Sequence, residues 1–327
     1  MKPFWCPAEA SGFLLDWDGV IADTKLDFSS LREKYFGGRR ALLIEDACEL
    51  SPDVREVYMQ ELEDIEMEGA KKAVAVEGAF EFIEWLKENK KPFCILSRNC
   101  MNVIRRGAET IGFELPQNTW GRDNFKFVKP DPKALTAAAE AIGSDPCRCV
   151  YVGDFIYDLQ GARRAGMRAV LVQHTEMAWR PWYDAAYPKL TDFASAVKNN
   201  DELIPWEYRE IFEQKGKDWL NRVCRYTLAL PEDALPNADT WLASAAALGV
   251  GAVYIAPDRI LTPDIWKKNP SFGIEYMGFA FADAARAFLA PRFPLIEVVT
   301  KCDNYLTAPS NADELMRYVE SIVMLKL

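Results

Sequence analysis

Short, wholly apolar runs alternate with amphipathic stretches through the first half of the chain. The runs at 13–15, 93–96, 149–152 and 169–172 lack polar alternation, the pattern of strands buried on both faces of a parallel sheet. Between them, helical spacing predicts helices at about 77–89, after Cys100, at 132–142 and at 158–165. This alternation predicts an α/β fold, a Rossmann-like parallel sheet covered by helices, with ligands beyond the carboxyl ends of the strands. Residues 25–75 break it by reading as helices only. Gly37 and Gly38 end one helix, Ser51 and Pro52 open the next, and Val54, Val57, Tyr58, Leu62 and Ile65 then recur at helical spacing. We place a helical cap at about 22–88.

The segment 175–187, with Trp179, Trp182 and Tyr183, reads as irregular, and a helix follows near 193–197. Lys198-Asn199-Asn200-Asp201 then marks a composition break, so a boundary is expected near 200. Beyond it the alternation resumes, with strands at 226–230, 252–256 and 295–300 and helices at 238–248, 282–289 and 312–325. Residues 1–200 are therefore expected to form the core with its cap, and 201–327 a C-terminal α/β unit of unknown family. Gly249-Val250-Gly251 in that unit lacks the third glycine and acidic partner of a dinucleotide fingerprint.

Composition narrows the function classes. A chain of 327 residues, half of them hydrophobic, can fill about two domain cores. With 39 basic and 49 acidic residues the net charge is -10, which argues against a nucleic-acid partner. No apolar run reaches the ~18 to 20 residues of a membrane span, and the start lacks a signal peptide's apolar centre, so no membrane association and a cytoplasmic location are expected. The eight cysteines are scattered, and the close pair Cys147 and Cys149 fits no zinc spacing, so buried reduced thiols are expected. His174 is the single histidine and is expected to be satisfied or exposed. Trp179 and Trp182 are expected to pack. Polar chemistry falls to carboxylates.

Four groups of residues stand at strand ends. Asp16 and Asp18 follow the first apolar run and precede Gly19. Ser97, Arg98 and Asn99 follow the second, where a hydroxyl and backbone amides at a helix entry can cradle phosphate oxygens. Lys129 precedes Pro130-Asp131-Pro132, a rigid helix start where an ammonium can offset phosphoryl charge. Asp154 and Asp158 follow the third run and, with Asp16, offer hard oxygen ligands suited to Mg²⁺.

In that order these residues resemble the haloacid dehalogenase superfamily of phosphohydrolases over roughly residues 10–175. The helical insert, and the run from Gly153-Asp154 through Asp158-Leu159-Gln160-Gly161-Ala162 to Gly166-Met167, resemble its phosphoglycolate phosphatase-like branch with a small helical cap. The resemblance implies that Asp16 is the nucleophile and Asp18 the acid and then the base. It also implies Mg²⁺ held by Asp16, the backbone carbonyl of Asp18 and Asp154, with Asp158 in direct or indirect support. It further implies that Ser97, Arg98, Asn99 and Lys129 are the phosphoryl-binding residues. Dehalogenating members lack an acid at the position of Asp18, so its presence favours phosphoryl transfer. The implied activity is Mg²⁺-dependent hydrolysis of a small phosphorylated metabolite, without a specified substrate or oligomeric state. Alternatives are a phosphomutase, a phosphonate hydrolase with Lys25 or Lys34 as Schiff base, and a non-catalytic binding or regulatory protein.

Overall fold

The computed structural model describes residues 4–325 except 40, 294 and 295. The strands are β1 (Gly12–Leu15), β2 (Ala22–Asp23), β3 (Val74–Ala75), β4 (Phe93–Leu96), β5 (Thr119–Trp120), β6 (Cys149–Gly153), β7 (Arg168–Val172), β8 (Ala185–Tyr187), β9 (Thr227–Ala229), β10 (Ala252–Tyr254), β11 (Glu297–Val299) and β12 (Leu306–Thr307). The first seven helices are α1 (Ser29–Phe36), α2 (Pro52–Ala70), α3 (Ala79–Glu88), α4 (Met101–Ile111), α5 (Pro132–Ala141), α6 (Ile156–Arg164) and α7 (Leu190–Lys198). The rest are α8 (Arg209–Val223), α9 (Ala238–Ala247), α10 (Pro263–Lys268), α11 (Phe281–Leu289) and α12 (Leu315–Leu325).

Six strands form one sheet in the order β5-β4-β1-β6-β7-β8, and every neighbouring pair is parallel. β1 lies at the centre, with Leu15 opposite both Ile95 and Val152, so the residues following these three strands leave the sheet side by side. All four residues of β1 are buried, as its unbroken apolar pattern requires. One face of the sheet packs Phe13, Leu15 and Val152 with Phe82 and Leu86 of α3 and Phe193 of α7. The other packs Leu14, Leu96 and Tyr151 with Leu135 of α5 and Leu159 of α6.

The helical insert stands apart on its own small cluster, with Leu31, Ala47, Tyr58 and Leu62 at its centre. β2 and β3 pair antiparallel at its base and carry the chain out and back. α3, counted within the 22–88 cap by sequence, packs on the main sheet instead, because its strongly one-sided apolar face matches the sheet. Pro52 takes the first turn of α2 as expected, but the Ser51 side chain makes no capping bond. Gly37, at φ 59°, closes α1 in the left-handed conformation. The segment read as irregular also supplies an edge strand, β8, and Trp179 and Trp182 pack against the core there.

The C-terminal residues form a four-stranded parallel sheet in the order β11-β10-β9-β12 over a separate core containing Leu228, Trp241, Val253 and Phe281. Leu295, within the expected strand 295–300, lies outside the described residues, and the observed strand begins at Glu297. Between the sheets lies a buried charge cluster. Arg163 pairs with Glu207 and, at 3.4 Å, with Asp184, which also holds Arg168 at 3.1 Å. Trp5 and Leu203 exchange backbone hydrogen bonds of 2.9 and 2.7 Å. No disulfide joins the eight cysteines, but only Cys94, Cys100 and Cys149 are buried, while Cys48 and Cys147 are exposed. Pairing was read correctly and burial was not. No helix among the described residues is long and apolar enough to cross a membrane.

Candidate active site

A cavity of about 490 Å³ opens over the carboxyl ends of β1, β4 and β6 and is roofed by the insert. Asp16, Asp18, Ser97, Arg98, Asn99, Asp154 and Asp158 all line it. Asp16 is one residue past β1, where its amide donates to Val152 O at 3.0 Å. The turn after it is closed by amides of Ile21 and Ala22 donating to Trp17 O at 2.9 and 3.0 Å. Gly19, at φ +71°, permits this turn, and a Cβ there would lie 2.1 Å from Asp154 Oδ2. The glycine lets the Asp16 turn and the Asp154 loop approach one another.

Lys129 is 1% exposed and spends its ammonium entirely on the protein. Its Nζ lies 2.7 Å from Asp16 Oδ1, from Asp158 Oδ1 and from the Tyr151 hydroxyl. Three N–H groups thus meet three acceptors. Lys129 grips the nucleophile's carboxylate, and contact with a phosphoryl oxygen requires exchange of one of these bonds. Burial opposes the charge on this lysine, but Asp158 and Asp16 outweigh it and hold its pKa above the ordinary value. Tyr151 Oη in turn lies 3.2 Å from Leu96 O, which fixes the hydroxyl beneath the lysine.

Asp18 has a different environment. Thr24 Oγ1 donates to its Oδ1, and Asn99 Nδ2 to its Oδ2 at 2.6 Å. Burial pushes its pKa up to about 6, with these two hydrogen bonds opposing the rise. Asn99, expected on the phosphoryl group, therefore directs its side chain to the acid/base carboxylate.

Arg98, also expected on phosphate, turns to the insert. Its guanidinium meets Glu45 at 2.8 and 2.7 Å and Lys129 O, and stacks 4.9 Å from the Tyr157 ring centroid. Ser97 is buried, and its Oγ accepts from the Asn99 amide at 3.1 Å. That bond leaves the hydroxyl proton available as a donor.

Ligand oxygens of Asp16, Asp154 and Asp158 lie within 4.8 Å of one another. One ammonium faces these three carboxylates, and the imbalance appears in their acidity. Burial, then the Asp158 charge, pushes Asp154 up to about 8. Burial and Asp158 also raise Asp16 well above the carboxylate range, against the pull of Lys129. A hard divalent cation suits this all-oxygen set. Asp158 is the least available of the three, since Oδ1 faces Lys129 and Tyr151 and Oδ2 accepts from the Phe155 amide at 3.1 Å.

Sequence reasoning did not find Tyr151, Glu45 or the acid-holding role of Thr24. Tyr151 carried a usable signal, a hydroxyl inside an apolar strand whose buried oxygen needs a partner. His174 is satisfied as expected, with Nε2 2.6 Å from Asp154 O and its ring edge-on to Trp179. A second buried pair joins insert to core: Arg122 Nη1 lies 2.8 Å from both Glu66 oxygens and 3.0 Å from Arg98 O.

Comparison with known proteins gives four findings. The sequence model for "haloacid dehalogenase-like hydrolase" matches residues 10–166. The chain is 49% identical over 51 residues to a phosphoglycolate phosphatase of Xylella fastidiosa, which is 16% of this chain and 22% of that protein. It is 23% identical over 183 residues to an N-acetylmuramic acid 6-phosphate phosphatase of Pseudomonas putida, covering 49% of this chain and 82% of that protein. The match thus spans about a fifth of the phosphoglycolate phosphatase and most of the second relative. Among solved structures, a hydrolase from Pseudomonas syringae superposes with a TM-score of 0.50 at 20% identity, over 57% of this chain and 98% of the other. That likeness concerns the fold.

Proposed function

Residues 10–166 belong to the haloacid dehalogenase-like hydrolases, and on that premise we propose that the chain is a Mg²⁺-dependent phosphatase that hydrolyses a small phosphorylated metabolite through an aspartyl-phosphate on Asp16. The observation that carries the reading is the unlike treatment of two carboxylates two residues apart. Asp16 is gripped by an ammonium, while Asp18 is held by neutral donors with its pKa near 6. This separates nucleophile from acid/base.

Asp16 Oδ1 takes the Trp17 amide and Lys129, each at 2.7 Å, so attack on phosphorus falls to Oδ2. As the new O–P bond forms, the bond to the leaving alcohol breaks and protonated Asp18 gives its proton to the departing oxygen. Asp18, now a carboxylate, takes a proton from water as that water attacks phosphorus, which frees phosphate and restores Asp16. Thr24 and Asn99 keep the Asp18 carboxyl oriented through both steps. The Ser97 hydroxyl donates to a phosphoryl oxygen. Asp16, Asp154 and the Asp18 backbone carbonyl would hold the metal, with Asp158 supporting through Lys129. Bound Mg²⁺ would keep Asp16 and Asp154 ionised and offset charge on the transferring group.

The phosphatase names of the two relatives support phosphomonoester hydrolysis without fixing the substrate. The division near residue 200 belongs to the same proposal, supported by the separate cores of the two sheets. The test is phosphate release with Mg²⁺ from p-nitrophenyl phosphate and a metabolite panel. Asp16→Asn should lower turnover by on the order of 10³-fold or more. Full turnover in this variant would refute the aspartyl-phosphate route, and no release by the wild type from any substrate would refute the phosphatase.

A further inference from the structure

β6 and β7 run side by side with Gly153 opposite Leu171, so the residues that follow them emerge as neighbours at the mouth of the sheet. From β6 comes Asp154, one of the three converging carboxylates, which lies close against Gly19. From β7, which ends at Val172, come Gln173 and His174. Gln173 stands at φ 72°, in the left-handed region that a residue with a Cβ rarely adopts. Past this turn the imidazole of His174 faces Asp154, with Nε2 2.6 Å from Asp154 O. A carbonyl only accepts, so Nε2 carries the hydrogen and donates.

The peptide unit between Asp154 and Phe155 is thereby held on both sides. Its carbonyl accepts from His174, and its N–H, on Phe155, donates to Asp158 Oδ2 at 3.1 Å. Two hydrogen bonds on opposite edges fix the rotation of a planar unit. The Asp154 side chain hangs from the Cα at one end of that plane, so the plane sets where its carboxylate points. The imidazole is itself held in place. Trp179 meets it edge-on, with ring centroids 5.0 Å apart and planes at 70°, and meets the Phe155 ring at 5.4 Å and 80°.

We propose that His174 is a positioning residue for the divalent cation: its hydrogen bond to the Asp154 carbonyl aims the Asp154 carboxylate at the point where the oxygens of Asp16, Asp154 and Asp158 converge. Gln173 adopts its unfavourable φ to bring the ring there, as strained backbone at a working site often does. His174 touches neither cation nor substrate in this role. Removing a group that orients a metal ligand typically changes metal affinity by about 10- to 100-fold, and one hydrogen bond to the backbone of one ligand belongs at the lower end. The role rests on the Mg²⁺-dependent phosphatase reading and adds how this chain aims one of its metal carboxylates.

Two substitutions separate the hydrogen bond from the packing. His174→Phe keeps a ring against Trp179 and removes the donor, while His174→Gln removes the ring and keeps an N–H the same number of bonds from the backbone. Calorimetric titration of the full-length protein with Mg²⁺ should show about tenfold weaker binding in His174→Phe and binding within about threefold of the wild type in His174→Gln. A purely structural role predicts the opposite order, with His174→Phe the milder change. The Mg²⁺ concentration for half-maximal phosphate release from p-nitrophenyl phosphate should move by the same factors. Thermal unfolding without Mg²⁺ checks that each variant folds, and His174→Leu, which also lacks a donor, replaces His174→Phe in the comparison if that variant does not. Wild-type affinity in the donorless variant overturns the proposal, as does binding in His174→Gln no tighter than in that variant, or a wild type that binds no Mg²⁺. If the wild type releases phosphate with Mg²⁺ while the donorless variant keeps its affinity, this inference falls and the phosphatase stands. If the expected order of affinities holds but no substrate releases phosphate, the role of His174 stands and the phosphatase falls.

Discussion

Gly19→Ala isolates the close approach on which the site depends. Two costs are present at Gly19. Its φ of +71° is a conformation that costs an L-residue about 1–2 kcal/mol. The new Cβ would also lie 2.1 Å from Asp154 Oδ2, whereas ordinary contact begins at 3.4 Å, so the carboxylate must retreat by about 1.3 Å. Gly112 offers the control, at φ +70° with no atom within 4 Å of a Cβ. Gly112→Ala should therefore lose about 1–2 kcal/mol of stability and keep its turnover. Gly19→Ala should lose at least as much stability and, because a misplacement of about 1 Å can cost on the order of 10²-fold in rate, lose turnover by that order. The Mg²⁺ concentration for half-maximal activity should rise with it, since Asp154 is the displaced group. Thermal unfolding and phosphate release over a Mg²⁺ series measure both. Equal turnover and equal Mg²⁺ dependence in the two variants would refute the claim that Gly19 serves the Asp154 approach.

Two further tests address buried charge. Burial pushes Glu66 up to about 7 in spite of Arg122, so the folded state binds this proton more tightly than the unfolded state. Its contribution to stability is full below about 4.5 and is lost as pH rises through 7. Glu66→Gln should flatten the decline of melting temperature over that window, and an unchanged slope would contradict the assignment. Glu207→Ala removes one partner of fully buried Arg163 and should cost about 3 kcal/mol, read by denaturant unfolding. A loss below about 1 kcal/mol would show that Asp184 alone satisfies the arginine.

The central strands were legible because burial on both faces demands unbroken apolar runs, and 93–96 reads directly as β4. β5 and β8 were not, since two- and three-residue edge strands carry too few positions for a pattern. α8 was missed as well, and Gly216 interrupts it with non-helical geometry at φ 79°. The positions of Asp16, Asp18, Ser97, Asp154 and Asp158 were legible because strand ends in a parallel sheet converge, whereas Lys129 enters from the loop before α5, nine residues past β5. Partner choice was not. Arg98 and Asn99 are adjacent, yet one guanidinium reaches Glu45 across 53 residues and the next amide reaches Asp18 across 81. Lys129 reads as a phosphate ligand until Tyr151 and Asp158 are seen to absorb two of its three N–H groups. Sequence by itself determined which chemical groups stand at the mouth of the sheet, since local apolar patterning sets where strands stop. Only the tertiary structure decided which group each of them holds, because hydrogen bonds are directional and act over about 3 Å, a distance that the packing of insert on core alone establishes.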